Sequence, residues 1–193
     1  MIKTKRFSVL AAAAGVLAAV FLASPAHSAA EPSGRSASTG GGAEAAALPG
    51  GGVSATVAYT LVNANSGKCL DVEFGGLADF NRVTQYGCHN GPAQLWSLTY
   101  LGNSVYTLTN AGSQKCLEVG YAGTADFSGV NQYTCYGGIA QQWTLTYVGN
   151  GAYTLTNVNS QKCLEVGFSG LSDFNGVNQY SCHGGANQQW RLL

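Results

Sequence analysis

The most reactive side chains of this 193-residue chain are six cysteines, and they fall into a pattern: Cys69, Cys116 and Cys163 stand 47 residues apart, as do Cys88, Cys135 and Cys182. Each copy thus holds one close pair. In a chain with an export signal, an even number of cysteines in such pairs predicts disulfides. Cys69 to Cys88, Cys116 to Cys135 and Cys163 to Cys182 is the only short-range pairing that treats the three copies alike. A bridge over a loop of this size stabilises by about 3 kcal/mol in the chain-entropy account. Zinc is the weaker reading, because there is no C-x-x-C pair and only His89 and His183 lie near these cysteines. Asp79, Asp126 and Asp173 could be paired with Glu118 and Glu165 for glycoside hydrolysis. The pair would then recur in each repeat with nothing to build a deep cleft around it. No Gly-x-Ser-x-Gly, His-Glu-x-x-His or phosphate-cradling loop is present. We read the chain as non-catalytic, without metal or cofactor.

The 47-residue period extends to Trp96, Trp143 and Trp190, and residues 106–145 agree with 153–192 at 28 of 40 positions. Within the second copy four short β-rich runs, at 106–109, 115–119, 130–133 and 142–147, are separated by Gly, Asn, Ser and Asp clusters. Tyr100 to Tyr106 and Tyr147 to Tyr153 join consecutive copies across Gly102-Asn103 and Gly149-Asn150, which predicts hairpins there. Four strands in three copies make about twelve. A closed threefold arrangement hides the strand edges that an all-β chain would otherwise expose, so the fold class is all-β and the architecture a β-trefoil. The three tryptophans are core residues at its centre. Gln94, Gln141 and Gln188, two residues before each Trp, orient a neighbouring carboxylate. Lys68, Lys115 and Lys162 read as solvated strand or turn residues.

Ahead of the repeats, residues 1–28 carry Lys3, Lys5 and Arg6, then an apolar run, then Pro25 and small residues, which is the pattern of a secretory signal peptide. Residues 29–55 are a Gly/Ala/Ser-rich flexible linker, leaving 56–193 as the folded domain. The expected product is secreted and extracellular, a monomer, with no membrane insertion once the signal is cleaved. Only 9% of residues are charged and the formal net charge is zero. That removes the basic footprint a nucleic-acid partner would need.

Gln94-Leu-Trp96, Gln141-Gln-Trp143 and Gln188-Gln-Trp190, together with Lys-Cys-Leu-Asp/Glu-Val and a second Cys 19 residues on, resemble the ricin B-type lectin β-trefoil, including its carbohydrate-binding-module members. The resemblance spans residues 57–193. It implies a non-catalytic lectin with up to three shallow sites for galactose-type or xylose-type sugars, whose partner is a polysaccharide or glycoconjugate. The family's sugar-contacting carboxylate falls on Asp71, Glu118 and Glu165, and its stacking aromatic on Tyr86, Tyr133 and Tyr180. An amide position falls on Thr84, Asn131 and Asn178, and the residue after the second Cys is His89, Tyr136 and His183. The Asn before Gln-x-Trp is kept only as Asn187, with Ala93 and Ala140 elsewhere. The glutamines Gln94, Gln141 and Gln188 complete the implied set.

The chemistry of that set stands by itself. Vicinal sugar hydroxyls can donate two charge-assisted hydrogen bonds to one carboxylate, and the C–H face of the ring needs an aromatic platform. Amide and imidazole groups fix orientation. Glu118 and Glu165 are one methylene longer than the family's usual Asp, and the first repeat has Thr84, Ala93 and Arg82 where its third counterpart has Asn178, Asn187 and Gly176. We rank the third site first, the Asp71 site second and the Glu118 site third. The same changes support an alternative, a protein-interaction or inhibitor trefoil with decayed sugar sites. Phe74, Tyr121 and Phe168, and Phe80, Phe127 and Phe174, admit two readings: packing under a long loop, or an extra wall on each pocket.

Overall fold

The computed structural model describes residues 57–193; the expected signal peptide and linker lie outside the described residues. Twelve strands form among them, four per repeat. The first repeat supplies β1 (Ala58–Asn63), β2 (Cys69–Val72), β3 (Val83–Tyr86) and β4 (Leu95–Gly102). The second supplies β5 (Val105–Asn110), β6 (Cys116–Val119), β7 (Val130–Tyr133) and β8 (Trp143–Gly149), on the expected runs to within about a residue or two. The third supplies β9 (Ala152–Asn157), β10 (Cys163–Val166), β11 (Val177–Tyr180) and β12 (Trp190–Leu192).

Six strands close a ring. β1 pairs with β4, β4 with β5, β5 with β8, β8 with β9, β9 with β12 and β12 with β1, always antiparallel. Closure leaves no free barrel edge. The other strands form three cap hairpins, β2–β3, β6–β7 and β10–β11. This is the β-trefoil. The hairpins between repeats pair Tyr100 with Tyr106 and Tyr147 with Tyr153, and each register shifts just before Gly102 or Gly149. Those two glycines hold φ of 105° and 99°, a bulge conformation that a Cβ would oppose.

Alternation along the strands builds the core. Leu61, Leu108 and Leu155 are fully buried with Trp96, Trp143 and Trp190. Each indole Nε1–H donates to the carbonyl of Leu70, Leu117 or Leu164 at 3.1–3.2 Å, so a large apolar ring enters the core without a stranded donor. All three disulfides form within repeats as expected, with Cα atoms 5.1 Å apart.

Polar side chains lock the repeats to one another. Gln85, Gln132 and Gln179 are fully buried. Gln132 Nε2 donates to the carbonyls of Gly76 and Ala78 in the first repeat, and its Oε1 accepts from Ser113 Oγ at 2.6 Å. Gln179 holds the second repeat's loop, and Gln85 the third's, in the same way. The lysines depart from their expected solvated role. Lys115 Nζ meets Asp79 at 2.7 Å, Lys162 meets Asp126 at 2.7 Å and Lys68 meets Asp173 at 2.6 Å, each pair joining two repeats. The aspartates also accept the backbone N–H of Thr134, Ser181 and Gly87. Each is held below its ordinary carboxyl range, chiefly by its lysine. They are structural latches, and this accounts for their recurrence in every repeat.

Candidate functional site

Asp71, Glu118 and Glu165 lie on β2, β6 and β10 and face, in register, Thr84, Asn131 and Asn178 on the partner strands of the cap hairpins. Two residues further along those partner strands stand the half-buried Tyr86, Tyr133 and Tyr180, on the same face by the two-residue period. A short 3₁₀ turn in each repeat, such as Ala186–Gln188, then brings the glutamine beneath the carboxylate.

Glu165 is buried to 3% exposure, and its Oε2 accepts from Gln188 Nε2 at 3.0 Å and Asn187 Nδ2 at 3.3 Å, with His183 Nε2 at 3.3 Å. His183 Nδ1 accepts the N–H of Gly185, which leaves its proton on Nε2, pointing at the carboxylate. Gln188 Oε1 takes the N–H of His183, so one amide fixes both the acid and the loop beside it. In the second repeat Gln141 Nε2 donates to Glu118 Oε2 at 2.8 Å and Gln141 Oε1 accepts from Tyr136 N–H. Burial lifts the Glu118 carboxyl above its ordinary value, against the opposing pull of Gln141 and Tyr136. Burial, with the Glu118 charge second, raises Tyr136. Both glutamates thus accept from the glutamine two residues before the Trp of their own repeat.

The first repeat is different. Asp71 Oδ2 is buried without a hydrogen-bond partner, and His89 Nε2 stands 3.5 Å away. Burial raises Asp71 above the usual carboxylate range, with Gln94 and His89 pulling the other way. Gln94 still ties His89 N–H and the Gly87 carbonyl. Ala93, lacking the amide of Asn187, leaves a hollow of about 290 Å³ lined by Asp71, Tyr86, His89, Phe74 and Phe174.

The amide position is not brought into that hollow. Thr84 is fully buried, and Thr84 Oγ1, Asn131 Oδ1 and Asn178 Oδ1 have no hydrogen-bond partner. Asn131 and Asn178 line a second hollow of about 560 Å³ together with Arg82 and Gly176. A Cβ on Gly120 would meet Asn131 Nδ2 at 2.8 Å, and one on Gly167 would meet Asn178 Nδ2 at 2.9 Å. The first repeat has Glu73 at that point and the shorter Thr84 opposite.

Each pocket takes one wall from a neighbouring repeat, a pairing absent from the sequence reading. Phe80 packs on Tyr133 with centroids 4.8 Å apart, Phe127 on Tyr180 at 4.8 Å and Phe174 on Tyr86 at 4.9 Å. These phenylalanines hold φ of 63–64°. A side chain with a Cβ gives up about 1 kcal/mol or more in that left-handed region, and such strain clusters at functional sites. Packing beneath a loop is not their arrangement: Phe80, Phe127 and Phe174 are 42–49% exposed. Among the described residues no group of three or more His, Cys, Asp or Glu side chains could hold a metal ion.

The comparisons agree with this architecture. The ricin-type beta-trefoil lectin domain matches residues 57–190. A designed threefold-symmetric protein, ThreeFoil, is 44% identical, with a TM-score of 0.70 over 70% of this chain and 97% of its own. An exo-β-1,3-galactanase from Clostridium thermocellum is 32% identical with the same TM-score; the match covers 72% of this chain but only 30% of the galactanase. The Macrolepiota procera ricin B-like lectin, solved in complex with lactose, shares the fold at 19% identity and a TM-score of 0.62. Among curated proteins there is no significant match. The chain belongs to the ricin-type β-trefoil lectin domain family.

Proposed function

We propose that the domain is a non-catalytic binder of neutral glycans, of galactose or xylose type, at up to three shallow sites, exported and acting outside the cell as a monomer. One observation carries the reading: a buried carboxylate recurs beside a half-buried Tyr in all three repeats, and in two of them a glutamine anchors one of its oxygens. Among the described residues no lysine or arginine pairs with these carboxylates, so they are available to hydroxyl donors. The tyrosine ring supplies the apolar platform. Hydrolysis is disfavoured by the same geometry, since the aspartates that would complete a catalytic pair are engaged by lysines.

Sites this open bind weakly, with Kd on the order of 0.1 to 1 mM each, and three on one rigid body gain by avidity on a polymer. The test is a glycan and polysaccharide array probed with the chain from Ala29 onward and with a variant carrying Tyr86→Ala, Tyr133→Ala and Tyr180→Ala. The expected result is binding by the first and its loss in the second. Binding by neither favours the protein-interaction trefoil instead.

A further inference from the structure

Phe74, Tyr121 and Phe168 are the most exposed large apolar side chains among the described residues, at 83%, 85% and 85%. All three hold φ of 53–55°, a conformation that disfavours a bulky aromatic. Neither burial nor backbone preference accounts for an aromatic there, and it occurs in every repeat. Their neighbours show what they are aligned with. Tyr121 stacks on Phe80 at 4.9 Å and 18°, Phe168 on Phe127 at 5.1 Å and 18°, and Phe74 lies on Phe174 at 5.2 Å and 36°. Those phenylalanines are the ones that pack on the inner tyrosines. Each repeat boundary therefore carries a row of three rings, running outward from the Tyr beside the carboxylate. In the first repeat Phe74 lines the same hollow as Asp71, so the outer ring and the acid serve one space.

We propose that each outer ring is a subsite for a second sugar unit, so that the ligand is a neutral oligosaccharide of at least two pyranoses rather than a monosaccharide. This rests on the lectin reading above. The first unit uses the carboxylate and the inner Tyr, where its hydroxyls find an acceptor. The row beyond offers ring faces, so it selects a unit that turns a C–H face to the protein; the hollow that Tyr121 and Phe168 share with Arg82, Asn131 and Asn178 offers polar groups to the hydroxyls of that unit. An aromatic platform of this kind adds affinity with little rotamer entropy lost, since Phe and Tyr have two side-chain torsions. Because every row is assembled from two repeats, the subsite exists only in the closed trefoil.

Calorimetry with galactose and xylose, and with lactose and xylobiose, on three proteins tests the proposal. The wild-type chain is expected to bind one disaccharide at least tenfold more tightly than its monosaccharide. A triple variant with Phe74→Gly, Tyr121→Gly and Phe168→Gly should lose that advantage while keeping monosaccharide affinity at the second and third sites; at the first, where Phe74 shares the hollow of Asp71, both ligands should weaken. Its melting temperature should not fall, because glycine relieves the left-handed backbone. The variant with Tyr86→Ala, Tyr133→Ala and Tyr180→Ala should lose both ligands. A glycine variant that retains the advantage, or a wild type that binds both lengths equally, overturns the subsite. Absence of wild-type binding to all four sugars and to the array overturns the lectin reading itself.

Discussion

At Glu165 one carboxylate oxygen accepts from Gln188 and Asn187 and faces His183, whereas at Asp71, the same position two repeats earlier, Oδ2 accepts from none. The surrounding core is nearly identical: both repeats bury their Trp completely and tie its Nε1–H to a leucine carbonyl. The two regions thus separate what holds the fold from what tunes a site. Symmetry of the core follows from the need to close the barrel, while the acid is tightly anchored in one repeat and under-bonded in another without opening it. An anchored acid is pre-oriented for a sugar; the under-bonded Asp71 borders an open hollow of about 290 Å³.

The largest difference should appear when the acids are removed. Glu165→Ala deprives Gln188, Asn187 and His183 of a charged acceptor in a buried setting, and about 2 kcal/mol of stability should be lost. Asp71→Asn removes a buried charge that lacks a hydrogen bond at Oδ2, and stability should hold or rise by up to about 1 kcal/mol. Urea unfolding of both variants reads the contrast; equal losses would mean that Asp71 is as firmly held in the folded state as Glu165.

A smaller change tests whether one methylene is the cause. Asp71→Glu gives the first repeat the acid of the second, which also has alanine at the neighbouring position, Ala140 matching Ala93. The longer carboxylate should tighten its contact with Gln94 to the 2.8 Å that Glu118 makes with Gln141, adding up to about 1 kcal/mol. An unchanged denaturation midpoint would assign the difference to His89 against Tyr136 instead.

Much of this was legible in the sequence, for a reason that also sets its limit. The 47-residue period identifies equivalent positions, and from them follow the disulfides, the four strands per repeat, the buried tryptophans and the glutamine beneath each acid. A period does not say which copy faces which. Lys115 lies 20 residues before Cys135 in its own repeat, yet its partner is Asp79 of the preceding one. Phe80 likewise belongs by sequence to the first repeat and by contact to Tyr133 of the second. The buried Gln132 read as an ordinary strand residue, because nothing local marks an amide whose acceptors, Gly76 and Ala78, lie more than 50 residues away. The co-occurrence of one Lys and one Asp in every copy was the available signal for the latches; packing between copies, which only the closed ring defines, supplies the rest.

The smallest expected effect concerns those latches, and it runs opposite in pH to the site acids. Asp126 titrates below its ordinary value of 3.8, chiefly through Lys162. Its stabilising contribution is therefore present above that value and is lost as pH falls through the lower folded value. Asp71 and Glu118 are raised instead, so their contribution favours the folded state below the ordinary values of 3.8 and 4.5 and is lost as pH rises through the folded values. Lys162→Met should lower the melting temperature at neutral pH by about 2 °C, as an exposed pair in a small domain warrants. The deficit should shrink toward zero in acid, once Asp126 is protonated in both proteins, and also in high salt. Asp71→Asn should show the reverse, its advantage over wild type growing as pH rises through the folded Asp71 value and then levelling. Thermal melts from pH 3 to pH 7 compare the two slopes; slopes of the same sign would mean that the Asp71 carboxyl is not raised by its burial.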